Sequence, residues 1–89
     1  IQSLDFVKKT IKLEPLKKKF EAFGCDVVSI NGHNFKEINN SFKKKTNKPL
    51  VIIANTIKGK GVSFMENKVL WHYKPPNKSE LGKALKELD

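Results

Sequence analysis

Leu50 to Ala54 reads LVIIA directly after Pro49, an unbroken apolar run with no alternation of polar residues. Such a run fits a strand covered on both faces, as in a parallel sheet. A second β-branched run, DVVSI at Asp26 to Ile30, precedes it and stops at the turn pair Asn31-Gly32. Between the two, Asn34 is placed to cap a helix, with Glu37 as capping-box partner and Phe35, Ile38 and Phe42 along one face. Lys43 to Lys45 follow at the end where cations suit the helix dipole. Two strands joined through a helix make a βαβ unit with an expected right-handed crossover. The class is α/β with parallel strands.

The flanks fit this frame. Leu13, Leu16, Phe20 and Phe23 recur at three and four residues, Lys17 to Lys19 fill the outer face, and Gly24 follows as a stop, so a first amphipathic helix is expected. Ser79 is placed to cap a last helix, with Glu80 in its first turn and Leu81, Ala84, Leu85 and Leu88 on one face. Between Ile57 and this helix regular patterning stops, and Gly59, Gly61, Pro75 and Pro76 punctuate a stretch that also holds Trp71 and His72. A loop this long in a small chain is usually functional or disordered, and its aromatic residues weigh against disorder.

Composition narrows the function classes. A net charge of +9 raises a nucleic-acid-binding reading. All 18 basic residues are lysine, however, and arginine supplies the bidentate guanine contact and planar phosphate fork of specific readers. No nucleic-acid partner is therefore expected, although a basic binding module stays open as an alternative. One cysteine, Cys25, allows no internal disulfide, so the cytoplasm is the default compartment. Cys25 itself reads as a small apolar core residue. The run Leu50 to Ala54 is too short to span a bilayer, so no membrane partner is expected either.

The chemistry-bearing segment is Lys58-Gly59-Lys60-Gly61, directly after the apolar run. In open α/β sheets ligands bind beyond the carboxyl ends of strands. Two glycines allow close backbone approach and exposed amides, and a lysine ammonium is a compact charge suited to phosphate. The segment is neither a Walker loop nor a dinucleotide loop, since Phe64 stands where the latter needs a third glycine. As a short pattern it reads first as a glycine turn with solvated lysines, ahead of any ligand site. By the same standard His72 reads as a loop histidine packed beside Trp71.

The longer string is more specific. PLVIIANTIKGKGVSFMENKVLWHYKPP from Pro49 to Pro76, preceded by FEAFG from Phe20 and INGHN from Ile30, resembles the second half of the thiamine-diphosphate domain of transketolases. In that family the blocks read like EAFGW, DGH, iiAkTiKGkGvsfmE and WHG, in this order. The resemblance implies a partial three-layer αβα thiamine-diphosphate-binding fold, with residues 1–89 as the C-terminal portion of a single domain whose upstream half is missing. It implies thiamine diphosphate as cofactor, with Lys58 beside the diphosphate and His72 contacting both diphosphate and sugar substrate, where it would act catalytically by orienting donor hydroxyls. It also implies Mg²⁺ or Ca²⁺, held by side chains outside this chain: the Asp of a GDG block and a later Asn are lacking, and Ile1 aligns with a carbonyl-donating position. The implied reaction moves a two-carbon ketol unit from a ketose phosphate to an aldose, as in the pentose phosphate pathway. The implied partners are sugar phosphates and a C-terminal transketolase subunit or domain, in a dimeric enzyme, and the 89 residues alone are expected to be inactive.

Four positions depart from the family pattern: Cys25 for Trp, Asn31 for Asp, Asn55 for Lys and Tyr73 for Gly. Tyr73 matters most, because a ring beside His72 can reshape a substrate entrance. His33, in the NGH turn, reads as structural. Another enzyme of the superfamily, such as 1-deoxyxylulose-5-phosphate synthase, and a non-catalytic interaction module remain alternatives.

Overall fold

In the computed structural model, residues 5–6 and 13–89 are described. The element order is α1 (Leu16–Ala22), β1 (Asp26–Asn31), α2 (Phe35–Ser41), β2 (Leu50–Asn55), a 3₁₀ turn (Val69–His72) and α3 (Lys78–Leu88). The expected alternation of helix and strand is therefore present. The position aligned with a carbonyl donor, Ile1, lies outside the described residues.

Chain contacts divide the protein into two compact units, one of Leu13–Thr56 and another containing Ile57–Asp89. The first unit is the βαβ part. β1 and β2 pair in parallel, with Asp26 opposite Leu50 and Asn31 opposite Asn55. The amide of Asp26 donates to the carbonyl of Pro49 at one end, and that of Gly32 donates to the carbonyl of Asn55 at the other (2.9 and 2.7 Å). A Cβ at Gly32 would lie 2.5 Å from the Thr56 Cγ2. Glycine is needed at that turn because the following segment passes so close. Asn55, one of the departures from the family pattern, ties the strands further: its amide group donates to the Ser29 hydroxyl (2.8 Å) and the Ile30 carbonyl (3.1 Å).

The first helix begins later than its apolar spacing predicts. Leu13 and Glu14 precede Pro15, and a residue before proline is pushed out of the helical region, so helix starts only at Leu16. The Glu14 carboxylate instead accepts from the Leu16 amide (3.1 Å). The stop is as expected: Gly24 has φ of 86°, its amide donates to Glu21, and the Cys25 amide reaches back to Phe20. That pair of bonds around a left-handed glycine is a Schellman closure.

α2 is capped by Asn34, whose side chain accepts from the Glu37 amide (3.1 Å). The reciprocal half of the expected capping box is not made. Glu37 accepts instead from the Asn31 amide (3.4 Å), because the Asn34 amide is already bonded to the Asn31 carbonyl. The helix ends at Ser41, so Lys43 to Lys45 lie past its last turn rather than in it.

The apolar faces are less covered than the spacing predicts. Val27 and Ile30 of β1 are buried, and β1 packs on both α1 and α2. β2 is only half-buried over Leu50 to Ile53, not enclosed on both faces. Phe23, Phe35 and Phe42 are 86%, 87% and 74% exposed, and Cys25 is half-buried rather than in the core. In the other unit Val62 and Ala84 are buried, while Leu81, Leu85 and Leu88 of α3 are largely exposed. No described helix is long and apolar enough to cross a membrane.

Candidate functional site

The residues predicted to carry chemistry, Lys58 and His72, both belong to the Ile57–Asp89 unit. Lys58 opens a tightly closed loop. Its carbonyl accepts from the Asn67 amide (2.9 Å), and Asn67 has a left-handed φ of 55°. Within the loop the Lys60 amide bonds to Ile57, that of Val62 to Gly59, and those of Met65 and Glu66 to Val62. Gly59 and Gly61 have φ of 78° and 102°. A Cβ at Gly59 would meet the Met65 carbonyl oxygen at 2.7 Å, so the first glycine is required on two counts.

These bonds correct one expectation. The glycine loop does not offer a row of open amides. The Gly61 amide is taken by the Glu66 carboxylate (3.2 Å) and the Ser63 amide by the Glu87 carboxylate (2.7 Å), while Lys60 and Val62 bond within the loop. What the segment presents to an anion is side-chain charge: Lys58, half-buried, and Lys60, exposed. That donor set suits a diphosphate, since an ammonium forms short charge-assisted bonds to phosphate oxygens.

His72 ends the 3₁₀ turn and is exposed. Its neighbour fixes the turn. The Trp71 indole N–H donates to the Phe64 carbonyl (3.2 Å), and the two rings meet edge to face at 5.6 Å. The Lys74 ammonium sits 4.6 Å from the Trp71 ring centre and 3.2 Å from a Glu80 oxygen. Trp71 thus does the packing and His72 is left presented to solvent. Tyr73 beside it is also exposed. His33, read as structural, sits in an Asx turn, its amide donating to the Asn31 side chain (2.9 Å).

The last helix is capped by Asn77, two residues before the expected Ser79. Asn77 and Glu80 make a full capping box: each side chain accepts the other's amide, at 2.8 and 2.9 Å. The signal was present as N-x-x-E, but Ser79 is an equally good type of cap and sits nearer the apolar positions. The Asn77 amide and, beyond it, Lys74 hold the Glu80 carboxyl below the usual carboxylate range. Sequence reasoning also missed Ser63 and Glu87. Their pairing joins residues 24 positions apart, and no local pattern encodes it.

Two hollows lie in the Leu13–Thr56 unit, one of about 240 Å³ beside Val28, Ile30 and Ser41, the other beside Asp26 and Lys45 to Lys48. Neither is lined by Lys58 or His72. Asp26 accepts a short hydrogen bond from the Thr46 hydroxyl, which occupies that carboxylate internally. Among the described residues no group of three or more His, Cys, Asp and Glu is placed to hold a metal ion.

No protein-family model matches the chain. It is similar to a subunit of the apulose-4-phosphate transketolase of Actinobacillus succinogenes, 39% identical over 90 residues that cover 99% of this chain and 33% of that protein. It is similar also to a 6-deoxy-6-sulfo-D-fructose transketolase subunit of a Clostridium species, 51% identical across 67% of this chain and 23% of the relative. Human transketolase is 32% identical across 86% of this chain and 12% of its own length. The chain thus spans a third or less of the length of these curated relatives.

Proposed function

We propose, for a chain that is a relative of the transketolases over nearly its whole length, that it contributes the diphosphate and sugar side of a site for ketol transfer. The observation that carries the reading is the presence in one compact unit of a half-buried Lys58 that opens a closed glycine loop and an exposed His72 on a turn anchored by Trp71. Lys58 offsets the charge of the diphosphate of thiamine diphosphate. His72 donates to phosphate or to a donor-sugar hydroxyl and orients it. The carbanion chemistry of the transfer is supplied by thiamine diphosphate when bound. Among the described residues no group of three or more His, Cys, Asp and Glu is placed to hold Mg²⁺ or Ca²⁺, and the side-chain ligands of such an ion are proposed to lie outside this chain.

The substrates proposed are a ketose phosphate donor and an aldose acceptor, and the partner proposed is a transketolase C-terminal subunit or domain in a dimeric assembly. That two relatives carry the word "subunit" in their names supports the partner reading. The thiamine-diphosphate-binding αβα fold, with this chain as its C-terminal portion, and a cytoplasmic setting belong to the same proposal.

The test is steady-state ketol transfer by the assembled enzyme that carries this chain. His72→Ala is expected to lower sugar turnover by about tenfold or more, the usual scale for a positioned proton-transfer or orienting group. Unchanged turnover would remove His72 from the site.

A further inference from the structure

We propose that α3 is a brace for the site, and that two of its carboxylates, Glu87 and Glu80, are positioning residues for the segments bearing Lys58 and His72. The inference rests on the assignment of those two residues above and deepens it.

At its C-terminal turn α3 grips the glycine loop. Glu87 accepts from Ser63 twice, from the amide at 2.7 Å and from the hydroxyl at 2.5 Å, and the Leu88 Cδ2 lies 3.0 Å from where a Gly61 Cβ would be. Both oxygens of one carboxylate thus close on one residue of the loop that Lys58 opens. At its N-terminal turn the helix holds the histidine turn. Glu80 divides its oxygens between the Asn77 amide and the Lys74 ammonium, and Lys74 in turn covers the face of Trp71 next to His72. The indole N–H bond to Phe64 closes the circuit between turn and loop.

The magnitudes favour positioning over stability. Glu87 and Ser63 are exposed, and Lys74 and Glu80 are only half-buried, so water screens these pairs and none can hold a fold together. Charge-assisted, two-point bonds are nevertheless directional, and that suffices to select one placement of a loop or turn.

The experiment compares Glu87→Ala, Glu87→Gln and Glu80→Gln in the full chain and in the assembled enzyme. Glu87→Ala is expected to speed hydrogen exchange at the Ser63 amide about tenfold and to raise the thiamine diphosphate concentration for half-maximal activity by a similar factor. Glu87→Gln, which keeps one acceptor, should recover part of both. Glu80→Gln should shift the emission of Trp71, the single tryptophan, and leave Ser63 exchange unmoved. The thermal midpoint should stay constant in both Glu87 variants and fall slightly in Glu80→Gln, which removes the capping charge of α3. Unchanged Ser63 exchange in Glu87→Ala would overturn the brace. So would unchanged half-saturation in Glu87→Ala when Lys58→Ala raises it. If Lys58→Ala also has no effect, the site assignment has failed and the proposal falls with it.

Discussion

Gly24 and Gly59 separate two reasons for a glycine. Both have left-handed φ, at 86° and 78°, yet a Cβ at Gly24 meets nothing within 4 Å while one at Gly59 strikes backbone at 2.7 Å. Gly24→Ala therefore carries conformational strain alone, about 1 kcal/mol. Gly59→Ala adds a clash with the Met65 carbonyl that only a shift of the loop relieves, and should cost about 2 to 3 kcal/mol. Denaturant midpoints of the two variants check the order, and equal losses would contradict it. Of the candidate site, the residue types were legible in the order of the KGKG and WH blocks. The bonds that set their geometry were not. Ser63 with Glu87, and Trp71 with Phe64, are chosen by packing between segments, whereas Gly59 and Gly61 announced their backbone needs locally.

Helices and strands show the same division. β1 and β2 were legible to within one residue because β-branched runs bounded by Asn-Gly and by Pro leave few alternatives. The start of α1 was hidden by reading apolar spacing across Pro15, and the cap of α3 by preferring Ser79 to Asn77. The capping box of α3 yields an expectation in pH. With its folded value lowered by the Asn77 amide and by Lys74, Glu80 stabilises the helix fully above the ordinary value of 4.5, and that contribution is lost as pH falls through the lowered one. Helicity followed by circular dichroism should therefore decline on acidification below about pH 4.5. Asn77→Ala should lower stability at neutral pH by about 1 kcal/mol and flatten that decline. An acid titration identical in the two proteins would contradict the cap's role.

At the scale of the chain, the buried apolar residues among those described are few: Val27 and Ile30 in one unit, Val62 and Ala84 in the other. No described side chain is as little as 2% exposed, and three phenylalanines stand mostly in water. So small a buried area offsets little of the chain entropy lost on folding. The 89 residues by themselves should be marginally stable, and a cooperative thermal transition well above room temperature would contradict that. The amphipathic spacing of α1 and α2 correctly marked apolar faces but not what covers them, because spacing encodes a face and not its neighbour. The central claim, that this chain supplies the diphosphate-side cation of a transketolase site, is tested most directly by the thiamine diphosphate dependence of ketol transfer in the assembled enzyme with Lys58→Ala. Loss of one charge-assisted bond predicts at least about a tenfold rise in the concentration for half-maximal activity, and a half-saturation equal to that of the unmodified enzyme would contradict the account.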